Sequence, residues 1–418
     1  MKILLSAGLL VLLTLGLGHG NVSAQTVLSS KCLQYGEIKP NENPSFQQIN
    51  CLLTNAALDA NIPPEVVKAV ATQENSWRQF NANGEPIISN DGGIGLMQIT
   101  NQPNYDQEKL KTDLYYNIET GVKILSNMYD RTATDLPHIK GAGRDVIENW
   151  YFPVMAYNGT KPVNSPLYQQ TGERNTNAYQ EKVFSNIEQG SFLHDMGTVL
   201  AQFPFSTSDF QYDSNSDNNI VFLKKEYIFS GKTHKSAYSF QKGNMVAVTQ
   251  NDVRLRSKPS ASSTIVKHLA KNTDLIINGN FTYDQSSTSQ NQFVWYPVMT
   301  NDKKFVGYIP SAYITASTAT SCLPYSINQK IYWNGVELRS GQIGRLTVLQ
   351  NTALYKVNGT KKTFVRTLKK GEFYRIYALK PGMLSVGGGY YVDRNTKVKY
   401  ETPSKVILDA VKCIASFK

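Results

Sequence analysis

Apolar residues recur at three- and four-residue intervals through the first half of the chain. Toward the end they alternate with polar residues in short runs. The first period predicts helices and the second predicts strands. Residues 25–190 read as helical. Ser45 is placed to cap a helix running to Leu58, and Pro63-Pro64-Glu65 suits a helix start, with proline in the first turn and an acid at the positive end. Val66, Val67, Val70 and Ala71 then form one apolar stripe. Asp113 suits the cap of a helix over Leu114–Tyr129, and Val146–Tyr157 and Asn177–Ile187 supply two more. Glycines in Gly92-Gly93-x-Gly95 permit a tight loop, so residues 80–100 are expected to form a loop or hairpin region.

The pattern changes after about residue 190. Ser206–Asn219 is rich in Ser, Asp and Asn and reads as loop or linker. Over 244–317, short apolar runs such as Val253-Arg254-Leu255, Leu275-Ile276-Ile277, Phe293-Val294-Trp295-Tyr296 and Val306-Gly307-Tyr308-Ile309 are separated by turn signals, which predicts a small barrel. Asn351-Thr352-Ala353-Leu354-Tyr355 and Gly387-Gly388-Gly389-Tyr390-Tyr391-Val392 mark a second β module over 318–418, and Ser404–Phe417 reads as a terminal helix. The three glycines lack a following helix and a Lys-Ser/Thr, so they do not suggest a phosphate loop. Trp295, Tyr308 and Tyr313 are expected to be core residues.

The ends and the composition narrow the setting. Met1-Lys2, a Leu-rich run to Leu17 and Val22-Ser23-Ala24 look like a secretory signal over 1–24. No later run is apolar enough for a bilayer-spanning helix. Formal charge is +11. In an exported protein that favours anionic wall polymers or membrane surfaces over nucleic acid, and the basic residues read as spread along the chain. Cys32, Cys51, Cys322 and Cys413 make an even count that fits disulfides in an oxidising compartment. Pairs Cys32–Cys51 and Cys322–Cys413 are favoured because each falls inside one proposed domain. The second would close a long loop, adding about 4 kcal/mol in the chain-entropy picture. His138, His194, His234 and His268 stand apart from one another, no zinc-type spacing is present, and no metal or cofactor is expected.

Glu74 is the candidate catalytic group. It follows Ala69-Val70-Ala71-Thr72-Gln73, one turn beyond Val70, so it points toward a packed side. Burial raises a carboxyl's pKa and makes it a proton donor near neutral pH, which is what cleavage of a glycosidic bond needs. Downstream come Ser89, six residues before Gly95-Leu96-Met97-Gln98, then Asn117-Ile118-x-x-Gly121-x-x-x-Leu125, then Ala156-Tyr157-Asn158 and Tyr179. These segments, in this order, resemble the soluble lytic transglycosylase domain, a relative of goose-type lysozyme. Asn75 departs from the pattern, which has Ser after the glutamate. Residues 244–317 resemble the bacterial SH3-like domain, with Ala270-Lys271-Asn272-Thr273 where that family has a Lys-Gly-Thr turn, and 318–418 resemble it less closely.

The resemblance implies a multidomain α+β protein: an N-terminal all-α lysozyme-like domain over 25–195 and two small all-β SH3-like barrels, with the composition placing an irregular segment over 196–243 between them. It implies that Glu74 is the catalytic acid, that Ser89, Met97, Gln98, Tyr157, Asn158 and Tyr179 contact substrate, and that peptidoglycan glycan strands are the partner. In that family one carboxyl protonates the leaving oxygen and then accepts a proton from the sugar's own C6 hydroxyl, giving a 1,6-anhydro product. A hydrolase would need a second carboxyl. Asp91 and Glu85 are the nearby candidates, and Asp91 stands in a turn sequence where Asp is common. The alternatives are therefore a muramidase using Glu74 with Asp91, and a wall-binding protein without activity.

Overall fold

The computed structural model describes residues 30–286, 288–317, 330–359 and 361–416. The leader expected over 1–24 lies outside the described residues, as does Cys322 and with it the pairing with Cys413. The chain divides into two compact units. Residues up to Ile187 with Met196–His234 form a helical unit, and Glu188–Asp195 with Lys235–Lys418 form a β unit. The architecture is a helical N-terminal region followed by a large all-β region of several sheets.

The helices of the first unit follow the apolar stripes. Helix α1 (Phe46–Asp59) is capped by Ser45, whose hydroxyl accepts from the Gln48 amide at 3.3 Å. Helix α2 (Pro64–Asn75) buries Val66, Val67, Val70 and Ala71 completely. At about 1.5–3 kcal/mol for each large apolar side chain, that stripe alone accounts for several kcal/mol of packing. The helix ends at Ser76, which is left-handed at φ 49°, and Trp77 behind it stacks on Phe46 with centroids 4.5 Å apart. Helices α3 (Gln107–Thr112) and α4 (Leu114–Asp130) follow, the latter capped by Asp113. Next come α5 (Tyr151–Asn158), preceded by a 3-10 turn over Ile147–Trp150, α6 (Tyr179–Ser191) and α7 (Met196–Ala201). Cys32 and Cys51 form a disulfide that ties the segment around Cys32 to α1.

The stretch 196–243 carries more structure than its composition suggests. Up to His234 it packs on the helical unit. Phe203, Phe205, Phe222 and Tyr227 cluster on Tyr151 and Phe152 of α5, with centroids 5.5–5.9 Å from those rings. Glu226–Tyr227 also runs parallel to His138–Ile139 as a short strand pair. Ser, Asp and Asn dominate 206–219, whereas a few aromatics on either side supply the adhesion. His234 is not isolated: its Nδ1 lies 2.6 Å from a buried Glu148 carboxylate, which also accepts from its backbone amide. His138 faces Glu226 at 3.7 Å and His268 faces Asp252 at 2.5 Å.

The β unit holds two sheet systems. Strands β1 (Met245–Val248), β2 (Val253–Arg256), β3 (Ile265–Leu269), β4 (Asp274–Ile277), β5 (Trp295–Thr300), β6 (Val306–Pro310) and β7 (Ile314–Ala316) form one antiparallel sheet in the order β7-β1-β4-β5-β6-β2-β3. Its core includes Val246, Leu255, Ile276, Val298 and Ile309. Trp295 is buried there and donates from Nε1 to a buried Asp284 at 3.1 Å, whereas Tyr308 and Tyr313 are only half-buried. The departure at Ala270-Lys271-Asn272-Thr273 is absorbed because Asn272 takes the left-handed conformation, φ 64°, that asparagine tolerates better than most residues.

After a hairpin of β8 (Tyr332–Trp333) and β9 (Val336–Glu337), the last module comprises β10 (Gly344–Val348), β11 (Thr352–Asn358), β12 (Lys361–Leu368), β13 (Phe373–Ile376), β14 (Ala378–Lys380), β15 (Met383–Gly387), β16 (Tyr390–Asp393) and β17 (Val398–Glu401). They form a three-stranded sheet β13-β10-β17 and a five-stranded sheet β12-β11-β16-β15-β14. Leu346, Val348, Leu354, Leu368, Ile376, Leu384, Val392 and Val398 make one core. Helix α8 (Lys405–Ser416) closes the described chain, with Cys413 buried on it.

Candidate active site

Glu74 lies in the last turn of α2, half-buried, and the Tyr179 hydroxyl at the start of α6 donates to its carboxylate. Burial pushes the Glu74 carboxyl up to about 7. The Tyr179 donor pulls it down and the negative charge of Asp91 adds to the upward push, but desolvation is the largest influence. A carboxyl poised there is half-protonated near neutral pH, the state that general acid catalysis needs. Tyr179 and Tyr157 are both pushed well above the usual phenol range by burial and by the Glu74 charge, so each keeps its proton.

The loop over 87–100, whose Asp91 acts on this carboxyl through its charge, is held by buried side-chain amides in addition to its own backbone bonds. The Gln79 side chain accepts from the Leu96 amide at 2.9 Å and donates to the carbonyls of Leu110 and Lys111. Asn117 of α4 accepts from the Met97 amide at 2.9 Å and donates to Ile94 and Leu110. Both amides are fully buried. Asn75 donates to the carbonyls of Arg78 (2.6 Å) and Gly95 (3.3 Å), so the residue next to Glu74 fastens the end of α2 to this loop.

Ser89, Asn90, Asp91, Gly92 and Gly93 form a turn in which the Ser89 hydroxyl donates to Asp91 and accepts from the Gly93 amide at 2.8 Å. That bond holds the exposed Asp91 carboxyl below its ordinary value, so it is ionised when Glu74 titrates. Glu85 is engaged elsewhere, accepting from Asn81 at 2.9 Å. A Cβ at Gly93 would lie 2.7 Å from Ser89 Oγ and 2.9 Å from Gln98 Oε1, so those two polar groups converge on one spot of bare backbone. Gln98 is half-buried at φ 47°, its amide donating to Gly95 at 2.7 Å.

Met97 differs from its expected role. Its side chain is fully buried against Gly121 and cannot touch a substrate. Its carbonyl instead accepts from the Tyr157 hydroxyl at 2.8 Å, which joins α5 to the loop. Asn158 is exposed and accepts from Asn164 at 2.9 Å. The same Asn164 accepts from the Tyr179 amide and, through its own carbonyl, from Gln180. Asn164 thus sets Tyr157-Asn158 and Tyr179 in register. Gln79 and Asn164 carry no signal in the sequence. Asn117 stands in the motif of the middle helix, but its work on the loop appears only in three dimensions. Among the described residues no group of His, Cys, Asp or Glu is arranged to hold a metal ion.

Residues 52–180 match the family model of the transglycosylase SLT domain. The helical unit carries an SLT domain. Such a domain indicates an enzyme of the lytic-transglycosylase or lysozyme-like type acting on peptidoglycan, and every residue of the cluster around Glu74 lies within the matched range. No curated protein matches the chain. Among solved structures, a match to "Endolysin LysPBC5 CBD" covers 38% of this chain and 95% of that one at 9% identity and a TM-score of 0.12, too low to carry an argument.

The environment of Glu74 makes two variants informative. Tyr179→Phe removes the donor that lowers its pKa, so the fall of kcat/KM at high pH is expected to move to higher pH. Asp91→Asn removes the charge that raises it and is expected to move that fall to lower pH. A pH profile that moves in the same direction for both would contradict this account.

Proposed function

We propose that the chain is an exported lytic transglycosylase. It cleaves the β-1,4 bond between N-acetylmuramic acid and N-acetylglucosamine and is held on the wall by its SH3-like β modules. The carrying observation is a single carboxyl, Glu74, raised to about 7 inside an SLT domain. Protonated Glu74 gives its proton to the bridging oxygen as the C1–O bond breaks. The resulting carboxylate then takes the proton of the C6 hydroxyl as that oxygen bonds to C1. No water enters, and the nucleophile is already on the sugar, so proximity favours ring closure. Ser89, Gln98, Tyr157 and Asn158 would border the glycan, while Tyr179 keeps Glu74 in place. A disulfide together with a wall-acting domain points to a compartment outside the cytoplasm. Among the described residues no helix is long and apolar enough to cross a membrane.

Asp91 supports a second reading, a muramidase, because its charge is felt at Glu74. It makes a poor base, however: its pKa is lowered and Ser89 already donates to it. Asp91→Asn is therefore expected to leave turnover within about tenfold, and mass spectrometry of digested glycan should show 1,6-anhydro ends. Reducing ends, together with loss of their release in Asp91→Asn, would establish the hydrolase instead.

A further inference from the structure

The chain's charge is concentrated where the catalytic domain is not. Residues 344–401 hold twelve Lys and Arg against three Asp and Glu, which is +9 of the chain's formal +11. The net charge therefore gathers in the last β module, although 31 of the 43 Lys and Arg lie elsewhere along the chain. Its three carboxylates, Glu372, Asp393 and Glu401, pair with Arg366, Lys362, Arg345 and Lys399. Lys361, Lys369, Lys370 and Lys380 are exposed and carry no such pair among the described residues. Solubility does not require this excess, since added acids serve it better than added lysines, and like charges this close repel one another.

The same module carries an aromatic row on the side of its five-stranded sheet that faces away from the core. Leu354, Val392 and Leu384 are paired across β11, β16 and β15 and are buried, so the adjacent Tyr355 and Tyr391 project from the other face. Tyr355 pairs with Tyr391 on one side and with Phe364, 58% exposed, on the other. Lys362 Nζ sits 3.8 Å over the Tyr355 ring and Lys380 Nζ 4.7 Å over the Tyr391 ring. Two ammonium groups therefore lie over the aromatic strip, with Lys361 at one end of β12 and Lys369-Lys370 just past the other.

We propose that this face binds a linear phosphodiester-linked wall polymer. The lysines engage successive phosphates and the aromatic strip lies against the sugar or polyol between them. The inference rests on the wall-acting function proposed above and names what the last module holds. A neutral glycan would leave the charge unused, whereas a polyanion offsets the self-repulsion and makes binding depend on salt.

The test uses the full chain carrying Glu74→Gln, so that walls are not digested. Binding is measured to purified walls before and after extraction with hydrofluoric acid, which removes phosphodiester-linked polymers, and to purified poly(glycerol phosphate). Expected results are weaker binding to extracted walls, on the order of tenfold or more lost between 50 and 200 mM salt, and a similar loss in a Lys361→Glu, Lys369→Glu, Lys370→Glu, Lys380→Glu variant. With Glu74 restored, that variant should cleave soluble glycan fragments like the parent, which separates this claim from the enzymatic one. Equal, salt-insensitive binding to intact and extracted walls would overturn it. So would a preference for duplex DNA or anionic vesicles over the polymer. If the quadruple variant unfolds, the salt dependence and the extracted walls still decide.

Discussion

Glu74→Gln is expected to fold and to lose about 10²–10⁴-fold in turnover from the missing proton alone, and more if the same group also accepts the C6 proton. Gln keeps a carbonyl oxygen for the Tyr179 hydroxyl, so the site's geometry should survive. The variant should also be more stable than the parent at high pH. In the folded chain the carboxyl titrates at about 7 rather than at its ordinary 4.5, so its ionisation opposes folding. Below pH 4.5 the carboxyl is protonated in folded and unfolded chains alike and nothing is lost. Above pH 7 it is ionised in both and the whole cost is present, on the order of 3 kcal/mol for a shift of this size. Thermal unfolding at pH 8 and pH 4 should show the variant's advantage at the first and none at the second. An advantage of the same size at both would mean that burial is not what raises Glu74. Turnover close to the parent's would remove Glu74 from the mechanism.

Gly95→Ala is expected to cost the helical unit roughly 3–5 kcal/mol, in the range of severe single substitutions, and to abolish activity with it. Gly95 stands at φ +72°, where any other L-residue is strained, and a Cβ there would run into the side-chain amides of Gln79 and Asn117. Those amides have no room to retreat. Both are fully buried and each makes three hydrogen bonds to the backbone, so displacing them would leave amides and carbonyls without partners. Chemical denaturation would measure the loss, and a change below about 1 kcal/mol would contradict the clamp that these residues form around the loop.

Helix starts, apolar stripes and strand alternation were legible because they are local. Ser45 and Asp113 cap the helices their sequences suggested, and Val66, Val67, Val70 and Ala71 are buried together, since period and capping chemistry act within a few residues. Glu74 could be singled out for the same reason: its segments follow one another at recognisable spacings. Composition misled where a few residues outweigh an average. Ser206–Asn219 reads as polar loop or linker, yet aromatics on both sides of it bind the stretch to α5. The charge reads as diffuse along the chain, yet residues 344–401 alone carry +9 of the formal +11.

Tertiary structure alone decided which polar groups meet. The pKa of Glu74 depends first on its burial, then on Tyr179, 105 residues later, and on the charge of Asp91. That loop is held by Gln79 and Asn117, whose amides would be unremarkable on any helix or turn surface. Met97 belongs to a motif that suggested substrate contact, but the close approach of α4 at Gly121 turns its side chain inward and leaves only its carbonyl for the site. Desolvation and hydrogen-bond geometry depend on atoms brought together from distant positions, whereas helical and strand periods are properties of neighbours. The chain's own order therefore specified the elements and singled out Glu74 as the candidate acid by itself, and the packing of those elements specified its pKa, its partners and the residues that hold them.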